Sequence, residues 1–263
     1  MTDFGVDVVR DGDGVAWLVL RNPGRLNAVR MEMWQAIPPL VAELAADAAV
    51  RVVVMRGDGT EAFASGADIS EFTTHRKDAA SAAAYERTTA HAFEALTAFP
   101  KPLVAMVHGI CIGGGLALAA SADLRVAADD ARFALPAARL GLGYHLNGVE
   151  RLVQLLGPAT ASELFFTARR YDAAEALRIG LVNRVVAKAD LETFTAGYAR
   201  DIAANAPLTL RAAKRAIAEV QRDPTRRDPD AVRALIAACF ESADYAEGVR
   251  AFLEKRAPRF RGE

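Results

Sequence analysis

Three consecutive glycines, Gly113-Gly114-Gly115, stand between an apolar run and a helix-forming stretch, and no other part of the chain restricts the fold as strongly. Leu103 to Val107 reads as a buried strand, whereas Leu116-Ala117-Leu118-Ala119-Ala120 is small, apolar and helix-prone. The stretch therefore predicts strand, glycine turn and buried helix, with Gly109 also in the turn. Without Cβ atoms, such a turn lets a ligand reach bare backbone N–H groups at the positive end of the following helix. That suits an oxygen carrying negative charge, although glycines serve equally well where a turn packs against a neighbouring strand. The remaining loops have to decide between the two.

At 263 residues and 52% hydrophobic content, the chain can bury a large core, as one domain or as a domain with a small appendage. Its 32 Lys and Arg against 33 Asp and Glu, without a long block of one sign, offer nothing to nucleic acid or an anionic membrane and favour a small-molecule partner. The N-terminal residues lack a basic region followed by an apolar one, and no apolar run is long enough to span a bilayer, so a cytoplasmic protein is expected. Cys111 and Cys239 give neither a disulfide framework nor a metal cluster, and Cys111 reads as a small filler beside the glycines.

In chain order, Val15 to Leu20 reads as a strand ending at the turn Arg21-Asn22-Pro23-Gly24, with the loop Arg25-Leu26-Asn27-Ala28 beyond it. Met31 to Ala46 is helical in composition, and Pro38-Pro39 should break or kink it. Val50 to Met55 has the composition of a strand buried on both faces. Phe63-Ala64-Ser65-Gly66-Ala67-Asp68-Ile69 is a second small-residue turn, in which Asp68, followed by Glu71, is placed to cap a helix start. Thr73 to Ala80 is polar and reads as loose. Ser81 to Phe99 restores helical spacing until Pro100 and Pro102 stop it. Leu124 to Ala127 and Arg132 to Ala134 read as short strands leading into a third glycine-bearing loop, Leu140 to Gly148. Thr160 with Glu163 and Asp172 with Glu175 have capping-box spacing, Gly180 suits a helix end, and Leu181 to Val186 reads as a strand. Leu208 to Val220 and Ala231 to Phe240 form amphipathic helices joined by the polar segment Arg222 to Pro229.

Several chemistries drop out. There is no P-loop lysine, the glycines do not follow dinucleotide spacing, and no serine sits in a nucleophile elbow. The four histidines, His75, His91, His108 and His145, show no metal-ligand pairing, so no metal is expected.

Taken together, Asn22-Pro23 with Asn27-Ala28, Phe63 to Ile69, Lys101 to Ala105 running into Gly109 and Gly113 to Gly115, Ala122-Asp123-Leu124-Arg125, and Gly180-Leu181-Val182 resemble the enoyl-CoA hydratase/isomerase superfamily, also called the crotonase fold. The resemblance covers nearly the whole chain. It implies an α/β protein, a crotonase (ClpP-like) spiral of ββα units over residues 1–200, with a C-terminal α-helical trimerisation region over residues 201–263. It also implies assembly as a homotrimer or a dimer of trimers, and a coenzyme A thioester as substrate with no separate cofactor. In that family two backbone N–H groups form an oxyanion hole for the thioester oxygen; by position they belong to Ala67 and Gly114, with Gly113 beside them. Arg25, Leu26, Asn27 and Ala28 match the segment along the CoA nucleotide. Ala67, Asp68, Ile69 and Ser70 match the segment along the pantetheine, and Ser70 stands where relatives often carry lysine.

The departures from the family pattern bear on the reaction. Hydratases of the family place one glutamate just after the glycine triplet and a second after a proline some twenty residues on; here these positions read Ala117 and, after Pro136, Ala137. Alanine cannot titrate, so hydration by the usual carboxylate pair has no groups to run on. The remaining candidates are Tyr144 and His145. A similar loop carries a tyrosine in the methylmalonyl-CoA decarboxylase branch, although that branch has a histidine where this chain has Ala67, and a catalytic aspartate near His145 in the chlorobenzoyl-CoA dehalogenase branch. Tyr144 as a packing residue and His145 as a solvated one are the plainer alternatives, as are a cap for Asp68 and a helix face for Glu150. Three readings follow: a lyase with a rearranged acid–base set, a decarboxylase or hydrolase of a branched or dicarboxylic acyl-CoA, and a non-catalytic acyl-CoA-binding protein.

Overall fold

Successive strands of this chain serve two different sheets, and the turns between them build the candidate site. A computed structural model describes residues 4–144 and 146–263. A hairpin of β1 (Gly5–Arg10) and β2 (Val15–Arg21) leads to helix α1 (Met31–Ala46), then β3 (Val52–Gly57) and β4 (Ala62–Ala64). Helices α2 (Phe72–His75) and α3 (Ala79–Thr97) follow, then β5 (Leu103–Val107), β6 (Ile110–Ile112) and α4 (Gly114–Ser121). Next come β7 (Leu124–Ala128), β8 (Arg132–Ala134), α5 (Leu146–Leu156), α6 (Pro158–Thr167), β9 (Tyr171–Asp172), α7 (Ala173–Arg178) and β10 (Arg184–Val186). The chain closes with α8 (Leu191–Ala203), α9 (Pro207–Gln221), α10 (Pro229–Phe240) and α11 (Ala243–Glu254).

The first sheet has the order β1-β2-β3-β5-β7-β10 and the second β4-β6-β8-β9. Apart from the outer pairs β1–β2 and β8–β9, which are antiparallel, the strands run parallel. The pairs β3–β4, β5–β6 and β7–β8 each place one strand in the first sheet and the next in the second, which is the ββα spiral expected of the crotonase fold. β5 is buried along its whole length, as a strand covered on both faces must be. One face of the first sheet carries Val52, Val54, Val104, Met106 and Val126 against Leu191, Ala199 and Ala203 of α8. The other face joins the main core with α1, α3 and α4.

The C-terminal helices are tied back by charge. Lys214 of α9 donates to Asp123 at 2.7 Å and to the Lys101 carbonyl at 2.8 Å, and Arg51 donates to the carbonyls of Ala203 and Phe260. Among the described residues no helix is long and apolar enough to cross a membrane.

The structure corrects several expectations. Pro38 and Pro39 do not break α1, which runs unbroken through them. The prolines sit on its outer side, half-buried and exposed, so water can serve the carbonyls they leave unpaired. Met33, Trp34, Ile37, Val41 and Leu44 meanwhile anchor the opposite face. Thr160 does not cap α6, because Gly157 at φ +76° and Pro158 in the first turn start that helix earlier; Glu163 pairs instead with Arg169 at 3.2 Å. The stretch 73–80 is not loose throughout, since it holds the end of α2 and the start of α3, where Asp78 and Ser81 form a capping box. The strand expected over 181–186 spans only Arg184–Val186, Leu181 and Val182 being drawn onto the Ala176 carbonyl at the end of α7. The expected capping box of Asp172 and Glu175 is present.

Gly115 fixes the junction of α4 with the second sheet. A Cβ there would overlap the Ala64 carbonyl oxygen, and both backbones are buried. Gly115→Ala should lower stability by about 1–3 kcal/mol, because backbone must move to make room. Gly24→Ala, with open space around the added methyl, should change it by less than about 0.5 kcal/mol. Urea denaturation of the two variants checks the contrast, and equal losses would contradict it.

Candidate functional site

Two backbone N–H groups converge where the Ser65–Asp68 turn meets the start of α4. The Val29 N–H donates to the Gly66 carbonyl at 2.7 Å and the Asp68 N–H to the Val29 carbonyl at 3.0 Å, so residues 66–68 run beside Val29 as a short parallel bridge. Successive N–H groups of an extended segment point to opposite edges, which turns the Ala67 N–H away from Val29 and toward α4. A Cβ on Gly114 would lie 3.5 Å from the Ala67 nitrogen, and one on Gly66 would lie 3.6 Å from the Gly114 nitrogen. Gly114 opens α4, so its N–H has no partner inside the helix and sits at the positive end of the helix dipole. Gly113, at φ +55°, donates to the Ala134 carbonyl at 2.9 Å and so fastens the triplet to β8. Such a pair of fixed donors can hold an oxygen on which negative charge develops.

Trp34 stands beside these donors, and further aromatic residues and two alanines lie in the elements that follow. Trp34 of α1 lies with Cζ2 3.3 Å from the position a Gly114 Cβ would take, and its Nε1 donates to the Tyr85 hydroxyl at 3.0 Å. Phe93 meets the Trp34 ring edge-on at 5.3 Å. Tyr144 packs edge-on against Phe165 at 4.9 Å, and burial pushes its phenol up to about 12, with the Arg76 charge acting the other way. The hydroxyl therefore stays protonated at neutral pH, with a proton to donate and an oxygen that can still accept. Ala117, in the first turn of α4, and Ala137, in the turn over Pro136–Leu140, are both half-buried and offer no titratable group. His145 lies outside the described residues.

The nearby carboxylates are already engaged. Asp68 accepts from the Ser70 N–H at 3.0 Å and the Ser70 hydroxyl at 2.7 Å, with Arg25 at 3.9 Å, so its side chain caps the turn over Ile69–Glu71 as the capping alternative expected. Glu71 accepts from Arg30 and from the Met31 N–H, both at 2.9 Å. Glu150 is exposed on α5 and accepts from Gln154 at 3.3 Å.

The loop of Arg25, Leu26, Asn27 and Ala28 adjoins the Ser65 turn. Ser65 donates from its N–H to the Leu26 carbonyl and from its hydroxyl to the Arg25 carbonyl, each at 3.0 Å. The Asn27 side chain is buried; it accepts from the Asn22 N–H at 3.0 Å and donates to the carbonyls of Asp58 at 2.9 Å and Ala62 at 2.8 Å. It holds three segments together and points no polar atom outward. Arg25, Leu26, Ile69 and Ser70 remain exposed along the adjoining surface. Thus Ala67, Gly113 and Gly114 come together, the two loops join beside them, and Tyr144 packs on the main core against Phe165. In the sequence Tyr85 stands out only as a helically spaced apolar position of 81–99, Arg76 falls in a polar stretch, and nothing marks Trp34.

The chain is similar to known proteins along nearly its whole length. The family profile described as enoyl-CoA hydratase/isomerase matches residues 10–263. The short-chain-enoyl-CoA hydratase of Clostridium acetobutylicum is 33% identical over 255 residues, covering 95% of each chain. The methylmalonyl-CoA decarboxylase of Escherichia coli is 33% identical over 216 residues, covering 81% of this chain and 82% of its own. The crystal structure of an enoyl-CoA hydratase/carnithine racemase from Magnetospirillum magneticum superposes with a TM-score of 0.93 at 37% identity, covering 100% of this chain and 97% of that one.

The described histidines stand apart from the two donors in kind. His91 is exposed on α3 and His75 half-buried at the end of α2, whereas His108 is buried at the end of β5 with its Nε2 unpartnered among the described residues. Burial, aided by Arg56, pushes the His108 imidazole down to about 4. Below pH ~6.5 the unfolded chain takes up a proton that the folded site refuses until about pH 4, so stability should fall with acidification across that window. His108→Asn should flatten the loss between pH 6.5 and 4.5, measured by urea denaturation. An unchanged slope would remove His108 from the acid response.

Proposed function

This chain belongs to the enoyl-CoA hydratase/isomerase family and is an acyl-CoA enzyme of it, and we propose that it holds the thioester oxygen between the N–H groups of Ala67 and Gly114 and stabilises the enolate there without adding water. One observation carries this reading: the two donors lie together beside a helix start, while Ala117 and Ala137, where the resemblance places the family's two carboxylates, cannot titrate. Each such donor contributes on the order of 3 kcal/mol to the transition state. The exposed edge formed by Arg25, Leu26, Ile69 and Ser70 supports a path for the CoA nucleotide and pantetheine, with the loop over Arg25–Ala28 on the nucleotide side. Asn27, Ala28 and Asp68 act on that path by shaping the backbone.

Loss of carbon dioxide from a carboxylated acyl-CoA is the second reading. It creates an enolate without a base, which agrees with the two alanines and with the likeness to a methylmalonyl-CoA decarboxylase. Purified protein should fail to hydrate crotonyl-CoA at a rate typical of hydratases, and turnover of methylmalonyl-CoA would select the second reading. Rapid hydration of crotonyl-CoA would overturn the claim that Ala117 and Ala137 close the usual route. Gly114→Val, which crowds Trp34, should lower turnover of any active thioester at least ~100-fold with the fold retained. Unchanged turnover would remove Gly114 from the hole. Protection of the protein by thioesters against heat, without any turnover, would favour the acyl-CoA-binding reading.

Assembly as a homotrimer or a dimer of trimers is part of the same proposal. Phe240, Phe252 and Leu253 stay exposed around one groove of α9 to α11, and Ile217 and Val220 are exposed on α9, apolar surface of the kind that supports contact with other chains. Light scattering should give three or six chains, and Phe252→Asp should shift the population toward monomer. A native protein that stays monomeric at micromolar concentration would overturn this.

A further inference from the structure

We propose that Arg76 is an anion anchor in the wall of the acyl pocket, and that the acyl group this protein receives carries a second carboxylate, distinct from the thioester, which pairs with that guanidinium. This rests on the thioester being held at Ala67 and Gly114. Contacts lead from those donors to Arg76 through two side chains. Trp34 adjoins Gly114, Trp34 Nε1 donates to the Tyr85 hydroxyl, and the Arg76 guanidinium lies over the Tyr85 ring at 4.2 Å and over the Phe72 ring at 4.5 Å.

A guanidinium held over aromatic faces keeps its N–H fork at its edge, the geometry that meets a carboxylate with two parallel hydrogen bonds. Among the described residues no carboxylate lies within ion-pair distance of Arg76, although the side chain is half-buried. The nearest comparison is Arg30, which pairs with Glu71 at 2.9 Å and so takes that carboxylate out of use. The polar groups that accompany Arg76 are donors as well. Tyr85 accepts from Trp34 and retains its own proton to give, and the Tyr144 phenol remains protonated. A cluster that presents a fixed cation and hydroxyl groups able to donate, with no carboxylate paired to that cation among the described residues, suits an anionic group. A carboxylate clamped this way is stabilised as a reactant. The group at Arg76 is therefore one the substrate keeps, and any carbon dioxide lost comes from another position.

The test compares two four-carbon thioesters, succinyl-CoA and butyryl-CoA, by calorimetric titration of the native protein, Arg76→Met and Arg76→Lys. The native protein should bind succinyl-CoA about tenfold more tightly or better. Arg76→Met should bring the ratio to about one, and Arg76→Lys should leave a reduced preference, since charge survives but the fork does not. The ratio is read within each variant, so a general loss of fold cannot mimic the result. Butyryl-CoA binding with no native preference, or a preference that survives in Arg76→Met, would overturn the anchor while the thioester reading stands. Binding of neither ester by the native protein would overturn both.

Discussion

The approach of Gly115 to the Ala64 carbonyl is the contact on which the candidate site depends. It lets α4 begin against the end of β4, and that placement brings the Gly114 N–H beside the turn that holds Ala67. Both donors belong to the main chain. Their positions follow from sheet register, a helix start and the space left by glycines, so they survive almost any change in the surrounding side chains. Ala117 and Ala137, which carry no titratable group, stand near the ends of the same elements without bearing on the two N–H groups. Binding geometry and acid–base equipment are separable in this fold.

Buried polar groups do the fastening that the glycines make room for. Asn27 joins the loop after β2 to the turns at Asp58 and Ala62, and its left-handed backbone, shared with Leu26, lets that loop double back against Ser65. Glu71 joins the start of α1 to the turn after Ala67 through Arg30 and the Met31 N–H. Each side chain satisfies several groups at once, so its burial costs little and its removal would strand donors or acceptors from separate segments. The two sides of the candidate site are thereby held by carboxylate and amide groups that are already spoken for.

Much of this was legible in the sequence because it rested on local chemistry. The apolar run of β5, the glycine triplet, the Asp68 cap and the Asp172–Glu175 box each need only neighbouring residues to act as read. Ala67 and Gly114 could be paired across 47 positions because both fall in matched motifs of one family. What misled was context. Two prolines signal a break, yet a helix docked along one apolar face keeps them on its outer side. The short strands β4 and β6 hide inside loops because three residues are too few to show alternation, and only their partners in the second sheet define them. The polar stretch 73–80 gave no sign of Arg76, whose position depends on rings supplied by Phe72 and Tyr85.

Two fixed N–H donors beside Ala117 have a defined chemical use on the proposed reading. General acid–base catalysis supplies roughly 10²- to 10⁴-fold, whereas stabilisation of developing charge by fixed donors is commonly the larger contribution. On the proposed reading the enolate arises by departure of a group already bonded to the α carbon, since the Asp68 and Glu71 carboxylates are taken up by hydrogen bonds of their own. The next requirement is a proton for that enolate. Tyr144 stays protonated well above neutral pH, in a wall where the Arg76 charge favours its ionised form over what burial alone would allow. A phenol so placed donates a hydrogen bond readily but gives up its proton only against the cost of leaving a buried phenolate. The same environment that disqualifies Tyr144 as a base therefore limits it to orienting a charged group, and leaves the final proton to solvent or to a residue beyond this wall.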